Sequence, residues 1–357
     1  MESYIISGIQ QIGIGVRNVE QAWKWYRENF GTDIRIFEDS AEASFMLPYT
    51  GGQPRKRHAA LTINMQGGSG FEIWQYTERT PEAPKFEVKA GDLGIYAVKI
   101  KCKNVKATRD LFLRRNHKVS DIVKCPKGHE YFFLVDPFGN MFQVVSSTNW
   151  FMDDHKPTGS ACGAIIGVSD INKSLKVYSE ILGFDQVIYD VQGIQPDFSF
   201  LPGGNSHFRR VLLRHRVPRK GAFSKLFGES QIELIQINGS KRGRIFEGRY
   251  WGDLGFIHLC FDMNGMDKLR TSCESKGFPF TVDSRNGTHG NSFDMGEAAG
   301  HFSYIEDPDG TLIEFVETHK VPILKKLGWY LNLQNRNPEK ALPDWIVKSL
   351  RFSRLKD

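Results

Sequence analysis

Residues 301–315, HFSYIEDPDGTLIEF, bring an imidazole (His301), a phenol (Tyr304) and a carboxylate (Glu314) around one tight turn. Such a trio can hold a substrate hydroxyl, take up a cation or pass a proton. The turn decides which of them meet. Asp307-Pro308-Asp309-Gly310 has type I chemistry: proline presets φ, Asp307 bonds forward, and Gly310 accepts a positive φ. A three-residue loop with a bulge then pairs Asp307 with Thr311 and sets Tyr304 opposite Glu314 on one face. A two-residue loop would instead set Ser303 opposite Glu314.

These residues sit inside a repeat. GDLGIYAV at 91 returns as GDLGFIHL at 252, and FEIWQ (71–75) returns as IELIQ (232–236), both at an offset of 161. The segment 11–31 parallels 163–183, and FLVDPFGNMFQV (133–144) parallels YIEDPDGTLIEF (304–315). In the first copy Phe133 and Gln143 stand where Tyr304 and Glu314 stand in the second. Within each copy an alternating strand leads into an amphipathic helix, with Ala22, Trp25, Tyr26 and Phe30 on one side of the first. Short β segments follow, and the cycle restarts. The pattern is βαβββ four times over, an α+β fold. It divides the chain into domains at 1–150 and 161–318, a linker at 151–160 and a basic tail with helical character at 319–357.

Four βαβββ modules in two pairs, each pair closed by a DP-x-G hairpin, resemble the vicinal oxygen chelate superfamily, which includes glyoxalase I, extradiol dioxygenases and methylmalonyl-CoA epimerase. The resemblance covers about 1–318. It implies mixed sheets curled into two cup-shaped domains, with a divalent metal held by the first and last strands of each module. Carried over, the ligand positions fall on Gly163, Gln236, His258 and Glu314 in the C-terminal half, and on Gln11, Gln75, Ala97 and Gln143 in the N-terminal half. His258, Glu314 and Gln236 are therefore the expected metal ligands, for Fe(II) first and otherwise Mn, Ni or Zn. Because His258 binds only when neutral, affinity is expected to fall below about pH 6. The N-terminal set has no imidazole and no carboxylate, so that domain is expected to carry no metal.

Tyr304 through Glu314 match the end of the extradiol signature, Y-x-x-[D/E]-P-x-G-x-x-x-E, but its upstream histidine is missing and Gly163 occupies a ligand position. The resemblance thus implies an oxidoreductase of dioxygenase type or, alternatively, a glyoxalase- or epimerase-like lyase or isomerase. A metal-free protein that sequesters a small ligand is the rival from another class. Tyr304 is the expected proton relay. His289, in the Gly-rich polar stretch 286–301, and His301 are candidate acids or bases.

Arg214 and Arg216, in the basic run 209–220, share a strand face with Arg210 and form a candidate clamp for an anionic substrate. The net charge of +6 lies in the tail, which holds nine Lys/Arg against three acids; 38 of each sign remain elsewhere. A neutral body argues against nucleic acid as a partner, and the resemblance implies a small-molecule substrate. The tail is expected to dock on its own domain, a partner such as a second copy in a homodimer, or an anionic surface. No apolar run of about 18 residues predicts a membrane span. Five cysteines without close spacing point to no disulfide framework and to a reducing, cytoplasmic setting.

Overall fold

The computed structural model describes residues 4–237, 242–286, 293–294, 299–324 and 329–355. Fourteen strands carry the architecture. The N-terminal half holds β1 (Ile5–Gly15), β2 (Ile34–Glu42), β3 (Lys56–Ile63), β4 (Gly70–Tyr76), β5 (Gly94–Cys102), β6 (Glu130–Val135) and β7 (Met141–Ser146). The C-terminal half holds β8 (Thr158–Gly167), β9 (Gln186–Ile194), β10 (His207–Arg214), β11 (Gln231–Ile237), β12 (Gly255–Asn264), β13 (Ala299–Glu306) and β14 (Leu312–Thr318). The helices are α1 (Val19–Phe30), α2 (Val105–Arg114), α3 (Ile171–Leu175), α4 (Ser224–Phe227), α5 (Met266–Ser275) and α6 (Asp344–Ser349). The expected α+β fold of curled mixed sheets is present.

The modules join in an order that the repeat alone did not reveal. One nine-stranded sheet runs β13-β14-β12-β1-β4-β3-β2, and the other runs β9-β10-β11-β8-β5-β7-β6, with short strands completing each edge. The first sheet therefore joins the first module to the fourth, through antiparallel β1 and β12. The second joins the second module to the third, through antiparallel β5 and β8. Each nine-stranded sheet takes one module from each half of the chain.

Helices hold the halves together on the opposite faces. Asn18, Asn104 and Asp170 cap α1, α2 and α3 by accepting from backbone N–H groups in their first turns. The apolar stripes of α1 and α2, including Tyr26, Phe30 and Phe112, join one core with the outer faces of both sheets, as does Tyr178 in the π-helical turn Lys176–Ile181 that continues α3. Tyr26 donates to Asp136 at 2.7 Å, and Tyr178 donates to Asp307 at 2.9 Å, tying a helix to the hairpin turn of its own half. Around the second turn the predicted register holds: the Asp307 N–H bonds to the Thr311 carbonyl at 3.0 Å, and Tyr304 pairs with Glu314. Phe133 likewise pairs with Gln143.

The tail packs on the protein itself. Ile346 and Val347 are buried against Ile34, Ile63 and Leu226, and Arg354 forms ion pairs with Asp33 and Asp154. No described helix is long and apolar enough to cross a membrane.

Candidate metal centre

Four side chains from four adjacent strands meet on the inner face of the first sheet: Gln11 on β1, Glu72 on β4, His258 on β12 and Glu314 on β14. His258 is fully buried, and its Nε2 lies 3.1 Å from Glu314 Oε2 and 3.4 Å from Glu72 Oε2. Gln11 Nε2 donates to Glu72 Oε2 at 3.2 Å and to Glu314 Oε2 at 3.5 Å. Ligand atoms of Glu72, His258 and Glu314 all lie within 4.8 Å of one another.

The arrangement fits a divalent ion. Bonds of about 2.1 Å to N and O donors, set at right angles, place neighbouring donors about 3 Å apart. The observed spacings are close to this. Neither ring nitrogen of His258 makes an aligned hydrogen bond, although carboxylate oxygens stand within ion-pair distance. The imidazole thus points between its partners. Gln11 Oε1 is also buried without a partner, and a half-turn of the amide would bring it to where Nε2 now lies.

Backbone economy makes room for the ring. Gly13 pairs with His258 across β1 and β12, and a Cβ at Gly13 would lie 2.3 Å from the imidazole Cε1. Trp251 stacks on His258 at 5.9 Å, and Tyr304 meets it edge-on at 5.6 Å. Burial alone would depress the basicity of His258; Glu314 and then Glu72 outweigh it, and the pKa is raised to about 9. Proton competition with a metal therefore begins well above the expected pH 6. Burial and Glu314 also push the Tyr304 phenol far above its ordinary value, so it stays protonated. A cavity of about 170 Å³ opens onto the cluster, with walls that include Phe37, Phe45, Met46, Trp74, Trp251 and Phe302.

His258, Glu314 and Tyr304 are brought together as expected, but Gln236 is not. It lies on β11 in the other sheet, where its Oε1 accepts from the Ile171 N–H at 3.0 Å. Gln75 does the same for the Val19 N–H at 2.8 Å. Both glutamines cap helices because strand alternation turns them away from the cup. The same alternation turns Glu72, three residues before Gln75, inward. The N-terminal half thus brings Gln11 and Glu72 to this cluster. The signal was available, since Glu72 is a lone carboxylate between Phe71 and Ile73.

His301 touches the cavity rim, but its ring bonds elsewhere, to Asp283 at 2.7 Å and to Arg285 at 3.1 Å. Burial lowers its pKa against the pull of Asp283. His289 lies outside the described residues. Arg214 and Arg216 line a different cavity, and Arg210 is buried in the second cup.

That second cup has its own solution. Its counterpart of Glu72 is Glu233, which is fully buried. Lys99 Nζ bonds to Glu233 Oε2 at 2.8 Å and also to Gln143, the counterpart of Glu314. Arg210 bonds to Glu233 at 2.7 Å and to Asp197 at 2.8 Å. Burial opposes ionisation of Glu233, but Lys99 and Arg210 overcome it and lower its pKa to about 2. The carboxylates are answered by the protein's own cations. Gly163, at the position of Gln11, cannot take a side chain: a Cβ would lie 1.8 Å from the Gln231 carbonyl oxygen.

Comparison with known proteins agrees with this fold. Residues 162–315 match the family model "Glyoxalase/Bleomycin resistance protein/Dioxygenase superfamily". A lactoylglutathione lyase from Schizosaccharomyces pombe is 27% identical over 156 residues, 43% of this chain and 45% of that protein. The match thus spans less than half the length of that relative. Glyoxalase I from Zea mays superposes with a TM-score of 0.54 at 13% identity, covering 87% of this chain and 92% of that one. A candidate dioxygenase from Bacillus subtilis superposes with a TM-score of 0.54 at 12% identity, covering 88% and 86%.

Proposed function

We propose that this chain, a member of the vicinal oxygen chelate superfamily, is a divalent-metal-dependent lyase or isomerase of glyoxalase type. It would move a proton on a small substrate that carries two neighbouring oxygens. One observation carries the reading: the converging donors are one imidazole, two carboxylates and an amide. Oxygen-activating iron is typically held by two histidines and one carboxylate. The oxygen-rich set made by Gln11, Glu72, His258 and Glu314 suits Lewis-acid chemistry instead, and shifts the balance away from the dioxygenase alternative.

A divalent ion held by these four residues would polarise the substrate's paired oxygens and stabilise charge that develops on them. The chain's own groups would do the rest. Glu314 would take a proton from the hydroxyl-bearing carbon beside the carbonyl and return it to the former carbonyl carbon, while the hydroxyl proton passes to the former carbonyl oxygen, so that no atoms are gained or lost. Tyr304, which stays protonated beside that carboxylate, donates a hydrogen bond to it. The aromatic walls exclude water. A cavity of about 170 Å³ is below the usual ligand-site range of about 300–1,000 Å³, which favours a small substrate portion inside the cup.

The test begins with elemental analysis of protein purified without chelator; absence of stoichiometric metal overturns the reading. Lactoylglutathione is the first product to assay, given the name of the Schizosaccharomyces relative. Conversion in deuterated water is expected to be followed by NMR as proton exchange at one carbon. Stoichiometric oxygen uptake would instead establish the dioxygenase reading, which the Tyr304-to-Glu314 spacing favours.

A further inference from the structure

The inner face of the second cup is rich in cations. Lys99 and Arg210 identify that face through their bonds to Glu233. Strand alternation puts Lys101 and Arg214 on it as well, two and four residues further along β5 and β10. At that end a cavity of about 630 Å³ opens, sharing no lining residue with the cavity of the metal centre.

The polar groups at this cavity are incompletely answered. Among the described residues the Arg214 side chain makes no hydrogen bond or ion pair. Arg219 donates from Nη2 to the Leu182 carbonyl, yet its Nε is buried without a partner. Ser230 is 7% exposed, and its hydroxyl is unpartnered. His215 packs on Phe184 with ring centroids 4.0 Å apart and tilted by 32°, and bonds through Nδ1 to the Gly183 carbonyl at 2.8 Å. A carbonyl can only accept, so Nδ1 carries the proton and Nε2 is left as a buried acceptor without a donor. Burial, then Arg219, keeps the ring neutral.

The other lining charges are mostly paired. Arg216 faces Asp185 at 3.6 Å, and Lys225 binds Asp344 at 2.8 Å. Glu229 is exposed at the mouth. The uncancelled charges on the walls are those of Arg214 and Arg219 and, of opposite sign and exposed to solvent, that of Glu229. Behind them, the Lys101 ammonium bonds to the Asn149 carbonyl at 2.9 Å. Trp150, Phe151 and Pro218 give the cavity an apolar side.

We propose that this cavity is a second ligand site, independent of the metal centre, for a small hydroxylated anion. Its carboxylate or phosphate group is held by Arg214 and Arg219, and a hydroxyl is held between Ser230 and His215 Nε2. Guanidinium forks suit either anion. The cup that cannot recruit a metal, because its carboxylates are already neutralised, has kept its concavity and turned it to the opposite charge.

The test uses calorimetric titration of the full, chelator-treated chain with glucose 6-phosphate, gluconate and uncharged glucose. Saturable binding of one or both anions, with none for glucose, is expected, and the better anion distinguishes phosphate from carboxylate. Arg214→Gln should weaken binding about tenfold to a hundredfold, and Ser230→Ala should weaken it less. Arg214 supports no other described residue, so its variant should melt like the parent. Glu314→Gln should leave binding unchanged. Equal binding of glucose, unchanged affinity in Arg214→Gln, loss in Glu314→Gln, or no binding of either anion would overturn the proposal.

Discussion

Replacing Glu72 with glutamine separates the cross-module ligand set from one confined to the C-terminal half. The change keeps shape and removes one of two carboxylates that face His258, from 3.4 Å. Loss of residues that merely support a metal ligand costs about 10–100-fold in affinity, so loss of a direct ligand should cost at least about 100-fold, or roughly 2.7 kcal/mol. A second effect works against this. Glu72 helps to hold His258 at a pKa of about 9, and at pH 7 that proton must leave before a metal enters, a penalty of about 100-fold for two pH units. If Glu72→Gln lowers the His258 pKa by about one unit, the penalty shrinks about tenfold, and the net loss at pH 7 is only about tenfold. Near pH 9 the competition has faded, and the full loss should show. Titration of Zn²⁺ or Mn²⁺ against a competing chelator dye, at both pH values, reads this directly. Gln236→Ala is the control and should retain parental affinity. Parental affinity in Glu72→Gln at both pH values, or an equal loss in Gln236→Ala, would refute the assignment.

Metal binding at pH 7 should release about one proton, seen as a dependence of calorimetric heat on buffer ionisation, and apparent affinity should rise about tenfold per pH unit toward pH 9. In the metal-free protein the sign is opposite: the raised His258 pKa contributes stability that is complete below about pH 6.5 and is lost as pH rises through about 9, which denaturant melts across that window will show. Among the described residues Lys99→Met leaves buried Glu233 with Arg210 as its only direct cation; a loss of about 3–5 kcal/mol in denaturant unfolding is expected, with metal affinity at the first cup unchanged. Gly13→Ala drives a methyl into the imidazole; metal affinity should fall by more than about tenfold, while circular dichroism remains that of the parent.

The hairpin that carries Tyr304 and Glu314 could be read to the residue, because its turn has only a few backbone solutions and each fixes a register. The first helix was legible for a similar reason: the apolar stripe of α1 repeats at helical spacing. Pairing of the modules was not legible. An internal repeat shows that four modules are alike, but the contacts that choose partners are between β1 and β12, and between β5 and β8, far apart in the chain. Glu72 was missed through strand parity: the last polar residue of FEIWQ, Gln75, was placed in the cup, although only every second residue can face it. Lys99 was missed because a lone lysine on a strand ordinarily points to water, and only the presence of Glu233 across the sheet gives it a reason to be buried.

The two cups show how little separates a cation-seeking site from a self-neutralised one. In each, the glutamate on the fourth strand of a module faces inward: Glu72 in one, Glu233 in the other. The strand beside β1 or β8 decides what answers it. Cys260 pairs with Gln11 in the first cup, and Lys99 pairs with Gly163 at the same position in the second. Burial, then Glu314, pushes the Cys260 thiol far up, so that it stays neutral and leaves both carboxylates to His258, whose proton can be displaced. Lys99 brings a fixed ammonium to Glu233 and Gln143 instead. A tethered cation acts at very high local concentration, so an ion from solution would have to displace it and leave a buried ammonium unpaired. The inner faces of the two cups therefore differ at Lys99 against Cys260 as well as at Ala97 against His258 and Gln143 against Glu314.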